Sequence, residues 1–170
     1  MAVTDPLLPL RVLTQESVPF VVIGGHAVNF HGRIRATDDF DIVFFRSTDS
    51  ELALGRALSS LHACWISDEI DPATGIERLH PVTPAYVRST HLMMLWTDAG
   101  FLDIYDFIPG FPDEEPRQLL DSSQGADGIR YVGKAWLLKM KTAAGRPKDL
   151  EDVEFLRLLD TVEQGPASTG

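Results

Sequence analysis

The sequence predicts an α/β (α+β) fold, a mixed sheet packed with helices and followed by C-terminal helices. Three features predict it. A continuous apolar run, Phe20 to Ile23, stops at Gly24-Gly25 and gives way to a short helical stretch. Residues 35–44 then switch to an alternating polar and apolar pattern. Further on, two apolar runs flank Thr97-Asp98-Ala99-Gly100, a turn-type sequence between the arms of a hairpin. With 170 residues, 44% of them hydrophobic, the chain can bury a core without metals or disulfides. One domain over residues 1–164 is the expectation, with 165–170 as a disordered tail.

In chain order, residues 6–16 place Leu7, Leu8, Leu10, Val12 and Leu13 at helical spacing behind Pro6, a first-turn residue, and read as an amphipathic helix. Phe20 to Ile23 is a buried-type strand, and His26 to His31 a short helix closed by Gly32. In residues 35–44, Arg35, Thr37, Asp39 and Asp41 alternate with the apolar positions Phe40, Ile42 and Phe44, which predicts one strand with a wet face. Residues 49–61 read as a helix with Leu52, Leu54, Leu58 and Leu61 inward. The polar stretch 67–84, with Pro72, Pro81 and Pro84, reads as an irregular mobile loop, or as a substrate loop facing an acceptor. Residues 91–96 and 101–107 form the hairpin, 129–132 a short strand, and 134–144 and 147–161 two helices. The second helix opens at Pro147 with Asp149, Glu151 and Asp152 complementing its dipole.

Composition narrows the function. Cys64 has no partner, which excludes an internal disulfide and a Cys-based zinc site and suits a reducing compartment. No basic and apolar leader opens the sequence, and no run approaches the roughly 18 apolar residues of a membrane span, so a cytoplasmic location is expected. The net charge of -10 disfavours a broad nucleic-acid footprint and favours cationic or neutral substrates.

The chemistry-bearing residues are carboxylates. Residues two apart on a strand face the same way about 7 Å apart, so Asp39 and Asp41 present paired acids suited to a divalent cation. Gly24-Gly25, between strand and helix, lets backbone amides approach a phosphate, or serves only as a tight turn. Asp103 lies between Leu102 and Ile104 in an apolar arm, where an acid needs a reason; Asp106, near the end of the same arm, reads as an ordinary surface acid. Arg35 and Thr37 share the acids' face and either contact phosphate or, for Arg35, pair with a carboxylate. Lys148 and Asp152 are spaced for a local ion pair. His26 and His31 read as hydrogen-bonded structural residues, and Trp65, Trp96 and Trp136 as core or rim.

Taken in order, Ile23-Gly24-Gly25-His26-Ala27-Val28, His31-Gly32, Arg35-x-Thr37-x-Asp39-Phe40-Asp41-Ile42, Leu102-Asp103-Ile104 and the stretch from Lys141 through Arg146, Lys148 and Asp149 to Asp152 resemble a known family. It is the small stand-alone members of the nucleotidyltransferase superfamily, which share their fold with polymerase beta and the aminoglycoside nucleotidyltransferases. The resemblance covers most of the chain and implies the nucleotidyltransferase fold. It further implies that Gly24 and Gly25 hold a nucleoside triphosphate, most readily ATP, and that Asp39 and Asp41 bind Mg²⁺ (or Mn²⁺). Asp103 completes the site as metal ligand or general base, while Lys141, Arg146 and Lys148 reach the phosphates. The implied reaction moves a nucleotide to a hydroxyl on a small molecule, a protein or a tRNA end. Some relatives are toxins of toxin-antitoxin pairs, which makes an antitoxin a candidate partner, and others modify antibiotics. Two other readings stand beside it: a non-catalytic nucleotide-binding or interaction module of the same fold, and a sugar-nucleotide glycosyltransferase, which also uses Asp-x-Asp.

Overall fold

Two short segments of opposite direction, β1 (Phe20–Ile23) and β2 (Asp39–Phe44), lie side by side in the centre of an eight-stranded mixed sheet. The computed structural model describes residues 5–163. Every residue of β1 is buried, as a wholly apolar run requires of a central strand. The other strands are β3 (Cys64–Ile70), β4 (Glu77–Pro81), β5 (Leu92–Thr97), β6 (Gly100–Tyr105), β7 (Gln124–Ala126) and β8 (Ile129–Tyr131). The order across the sheet is β4-β3-β5-β6-β2-β1-β8-β7, with β2 parallel to β6 and β1 parallel to β8.

The helices are α1 (Leu8–Gln15), α2 (Gly24–Phe30), α3 (Thr48–Ser60), α4 (Pro84–Ser89), α5 (Arg117–Asp121), α6 (Lys134–Ala144) and α7 (Pro147–Glu163). Strand alternation sends Phe40, Ile42, Leu102, Ile104, Met93 and Leu95 to one face, where α1 and α3 add Leu10, Leu13, Leu54 and Leu58. On the other face Val21, Ile23 and Val43 meet Val28, Leu119, Leu137 and Leu156 from α2, α5, α6 and α7. None of the described helices is long and apolar enough to cross a membrane.

Several expectations are corrected. The strand expected over 35–44 begins only at Asp39, because its neighbours offer partners for residues 39–44 alone. Ahead of it, the Asn29 side chain takes up the backbone N–H and C=O of Arg35, so Arg35 and Thr37 sit in a loop and not on a strand face. The stretch 67–84 is not an irregular loop: β3 and β4 form an antiparallel hairpin and Pro84 opens α4. Its signal was the turn Asp71-Pro72-Ala73-Thr74-Gly75, where Asp71 accepts from the Ala73 amide and Gly75 takes φ +69°.

Leu52 is exposed rather than inward, since it stands about 200° around α3 from Leu54 on the buried stripe. Helix α5 and strand β7 were not expected at all. Asp106 is not a surface acid: it is almost fully buried and accepts from Arg46 Nε and His91 Nδ1, both at 2.8 Å. Trp136 is core, whereas Trp65 stacks between His80 and Tyr86 and Trp96 stands exposed. The tail after Gln164 lies outside the described residues.

Candidate active site

The register of the two central parallel strands builds the site. Asp41 of β2 is paired with Asp103 of β6, and Asp39 with Phe101. Neighbouring strands are about 4.8 Å apart and alternate residues share a face, so Asp39, Asp41 and Asp103 emerge together on the face opposite Phe40, Leu102 and Ile104. The apolar residues between them fix this orientation: turning one acid inward would turn a core side chain outward.

The strand-to-helix turn closes on Asp41 from the β1 side. Gly24 has φ +63°, and a Cβ there would overlap the Asp41 carboxylate, only 2.8 Å from its Cγ. A Cβ on Gly25 would lie 2.9 Å from the Thr37 Cβ. Both glycines are therefore demanded by close approach, and the backbone of the α2 first turn is laid directly against Asp41 and Thr37.

Helices α6 and α7 supply the third wall. Asp152, fully buried, accepts from Arg35 Nε and Nη2 at 2.9 Å each and pairs with Lys141 Nζ at 3.1 Å and Arg33 Nη1 at 3.3 Å. Lys141 also donates to Asp149 at 2.7 Å, and Arg146 Nε donates to Asp149 at 2.6 Å. Burial alone would raise both aspartates, but hydrogen bonds from Arg146 and Lys141 on Asp149, and from Arg35 and Lys141 on Asp152, outweigh it and hold them below the usual range.

These walls enclose an open cleft of about 270 Å³ lined by Gly25, Arg35, Thr37, Asp39, Asp41, Asp103, Tyr105, Lys141, Arg146, Lys148 and Asp149. A smaller recess continues behind Asp41 between Gly24, Leu137 and Met140. The fold thus brings every expected site residue into or beside one cleft. Burial and the neighbouring Asp103 raise Asp41 to about 6, with Asp39 adding to the effect while Lys141 and Arg146 oppose it. Burial and Asp39 also raise Asp103. Such a site attracts positive charge.

The roles of the cations differ from a simple phosphate-binding set. Of the two readings of Arg35, pairing with a carboxylate is the one found, and its partner is Asp152. Lys141 is buried between Asp149 and Asp152. Because Asp152 is taken by Arg33, Arg35 and Lys141, the local Lys148–Asp152 pair does not form. Arg146, paired with Asp149, keeps its side chain 76% exposed. His31 is hydrogen-bonded as expected, its Nε2 lying 2.7 Å from the Val132 carbonyl. His26 is not: it stacks on Phe40 with Nε2 buried and without a partner among the described residues, and burial together with Arg35 lowers its pKa and favours the neutral ring.

Sequence reasoning missed Tyr105, Asp149 and Asp152 as parts of the site. Tyr105 follows Asp103 by two residues, so strand alternation pointed to it; burial and the charges of Asp41 and Asp103 push its hydroxyl up to about 12. Asp149 and Asp152 read as helix-dipole acids, and their real partners are distant in sequence.

Comparison with solved structures places the fold. A Thermotoga maritima protein provisionally described as a nucleotidyltransferase superposes with a TM-score of 0.51 at 19% identity, over 94% of each chain. An antigenic nucleotidyltransferase-like protein of Paracoccidioides brasiliensis gives 0.51 at 16% identity, over 92% of this chain and 77% of that one. A Helicobacter pylori protein, JHP933, gives 0.46 at 18% identity, and this chain spans 62% of its length. No protein-family description matches the chain, and no curated protein does. The chain has the nucleotidyltransferase-like fold, as the order of its motifs implied.

Proposed function

We propose that the protein is a nucleotidyltransferase that moves a nucleoside monophosphate from a triphosphate, ATP first, to a hydroxyl acceptor with release of pyrophosphate. One observation carries this reading: Asp41 and Asp103 face each other in register across two parallel strands, with Asp39 beside them, in a cleft whose other wall is a glycine turn and a basic cluster.

The donor set fits Mg²⁺. Carboxylate oxygens are hard ligands, and Asp41, raised to about 6 by burial and Asp103, gains from a cation that relieves both. Among the described residues no three His, Cys, Asp or Glu side chains are arranged to hold a metal ion by themselves; Mg²⁺ is ordinarily held by one or two carboxylates and completed by substrate phosphates. Asp39 and Asp41 would hold it, with Asp103 as a further ligand or the base. When bound, Mg²⁺ neutralises phosphate charge and supports in-line displacement.

The remaining work belongs to the chain. Gly24 lines the recess and Gly25 the cleft where the phosphates would lie, and the exposed Arg146 and Lys148 offer them charge. Arg35 and Lys141, tied to Asp152 and Asp149, brace that wall. Asp103, whose raised pKa makes it a stronger base than an ordinary carboxylate, takes the acceptor's proton. The acceptor oxygen bonds to the α-phosphorus as the bond to the pyrophosphate oxygen breaks.

Pyrophosphate release from each of the four nucleoside triphosphates, with and without Mg²⁺ or Mn²⁺, tests the reading. Metal-dependent release lost in Asp103→Asn supports transfer; triphosphate binding without release in the presence of every acceptor class offered favours the non-catalytic reading.

A further inference from the structure

The face of the sheet that carries the three aspartates does not end with them. Trp96 of β5 is paired with Phe101 of β6, which is paired with Asp39, and Met94 of β5 is paired with Asp103, which is paired with Asp41. Cys64 is paired with Trp96 and Ile66 with Leu79, so Ile66 and Leu79 continue the same face outward onto β3 and β4. Among the described residues, α2, α5, α6 and α7 pack on this face over β1 and β2, and the side chains beyond Asp103 stand exposed. Met94 is 63% exposed, Phe101 48% and Trp96 41%, with Ile66 and Leu79 comparable. Across three strand spacings of about 4.8 Å this makes an apolar surface about 14 Å wide, beginning at the acids themselves.

The geometry assigns this face to the acceptor, a conclusion that rests on the nucleotidyl-transfer reading above. The glycine turn, Arg146 and Lys148 occupy one side of Asp41, and the apolar face borders Asp103 and Asp39 on the other. We infer that the acceptor is a protein, docked on the sheet through apolar side chains and presenting a Ser, Thr or Tyr hydroxyl to Asp103.

Shape and charge select that class. Small-molecule sites are concave, whereas this is open strand surface, and the 270 Å³ cleft takes in none of its apolar side chains. A nucleic acid needs cations for its phosphates, yet β3, β5 and β6 contain no Lys or Arg, and Arg78 on β4 neighbours Leu79 and so points to the other face. The nearby charges are acidic: Asp68, Glu69 and Glu77 on β3 and β4, besides the site aspartates. An apolar, exposed surface with an acidic border complements a protein segment with an apolar centre and a basic rim.

The test supplies α-³²P-labelled triphosphates and Mg²⁺ to the protein in a ribonuclease-treated lysate of its source cells and measures protease-sensitive label on other chains. It compares wild type with Met94→Asp, Trp96→Asp and, as a control at an equally exposed apolar site on α7, Leu158→Asp. Thermal shift with Mg²⁺ and triphosphate is recorded for each variant. The expected result is protein labelling that falls at least tenfold in Met94→Asp and Trp96→Asp, is unchanged in Leu158→Asp, and is accompanied by an intact triphosphate shift throughout. Label confined to RNA, to small molecules or to the enzyme itself, with the shift intact, overturns the protein acceptor while leaving nucleotidyl transfer standing. Labelling unchanged by both substitutions overturns it too, and a dimer dissolved by them in the same preparation would reassign the face to a second copy. A wild type with no triphosphate shift removes both readings.

Discussion

Arg35 grips Asp152 with two parallel hydrogen bonds of 2.9 Å and so ties the loop ahead of β2 to helix α7, 117 residues further along the chain. The same carboxylate takes Lys141 at 3.1 Å. The pair holds the basic wall of the cleft against the strand that carries Asp39 and Asp41, and it makes that wall part of the fold as well as of the site.

Asp152→Ala therefore leaves the guanidinium of Arg35 and the ammonium of Lys141 short of a buried counter-charge. Removing one partner of a buried ion pair costs about 3–5 kcal/mol, and a loss of that order is expected in urea denaturation. A loss under about 1 kcal/mol, the level of a surface pair, would show that the network contributes little.

Ionisation of Asp41 opposes the empty fold. Burial and Asp103 raise its folded value to about 6 from 3.8, so the folded state binds this proton more tightly than the unfolded chain. The cost of ionisation is absent below the unfolded value, grows as pH rises through about 6, and is complete above it. Without ligand, Asp41→Asn is expected to melt above wild type at about pH 8 and level with it at about pH 3.5. An Asn variant less stable than wild type at the higher pH would contradict the assigned strain.

Gly24→Ala adds a methyl group at φ +63° that meets the Asp41 carboxylate. The left-handed backbone alone costs about 1–2 kcal/mol, and the displaced carboxylate should weaken Mg²⁺-dependent triphosphate binding more than tenfold, as read by titration calorimetry. Binding at wild-type affinity would show that the close approach is incidental.

Asp106→Ala separates structure from site. It strips Arg46 and His91 of a shared acceptor, which is expected to cost about 1–3 kcal/mol in thermal unfolding while triphosphate affinity stays unchanged. A selective loss of affinity would place Asp106 in the active site instead.

The sequence made the central strands legible because their patterns are local: the apolar run of β1, the alternation of β2 and the tight turn between β5 and β6 each lie within a few residues. Asp103 was legible for the same reason, as an acid among apolar neighbours. The β3–β4 hairpin was hidden by Pro72 and Pro81, with Pro84 just beyond it, although Asp71-Pro72 and Gly75 marked its turn. What local pattern could not show is who pairs with whom. Arg35 read equally as a phosphate ligand or an ion-pair partner, and only the packing of α7 against the loop before β2 decides for Asp152. The exposure of Met94 and Trp96 was equally hidden, because it depends on where α6 and α7 stop covering the sheet.

Binding of a metal-bound triphosphate by Asp39, Asp41 and Asp103 is tested by thermal shift with each nucleoside triphosphate, with and without Mg²⁺, on wild type and Asp41→Ala. The expected result is stabilisation of wild type by at least one triphosphate only when Mg²⁺ is present, and none in Asp41→Ala. Equal stabilisation of the two proteins, or no response of wild type to any triphosphate, would mean that these aspartates do not form a triphosphate site.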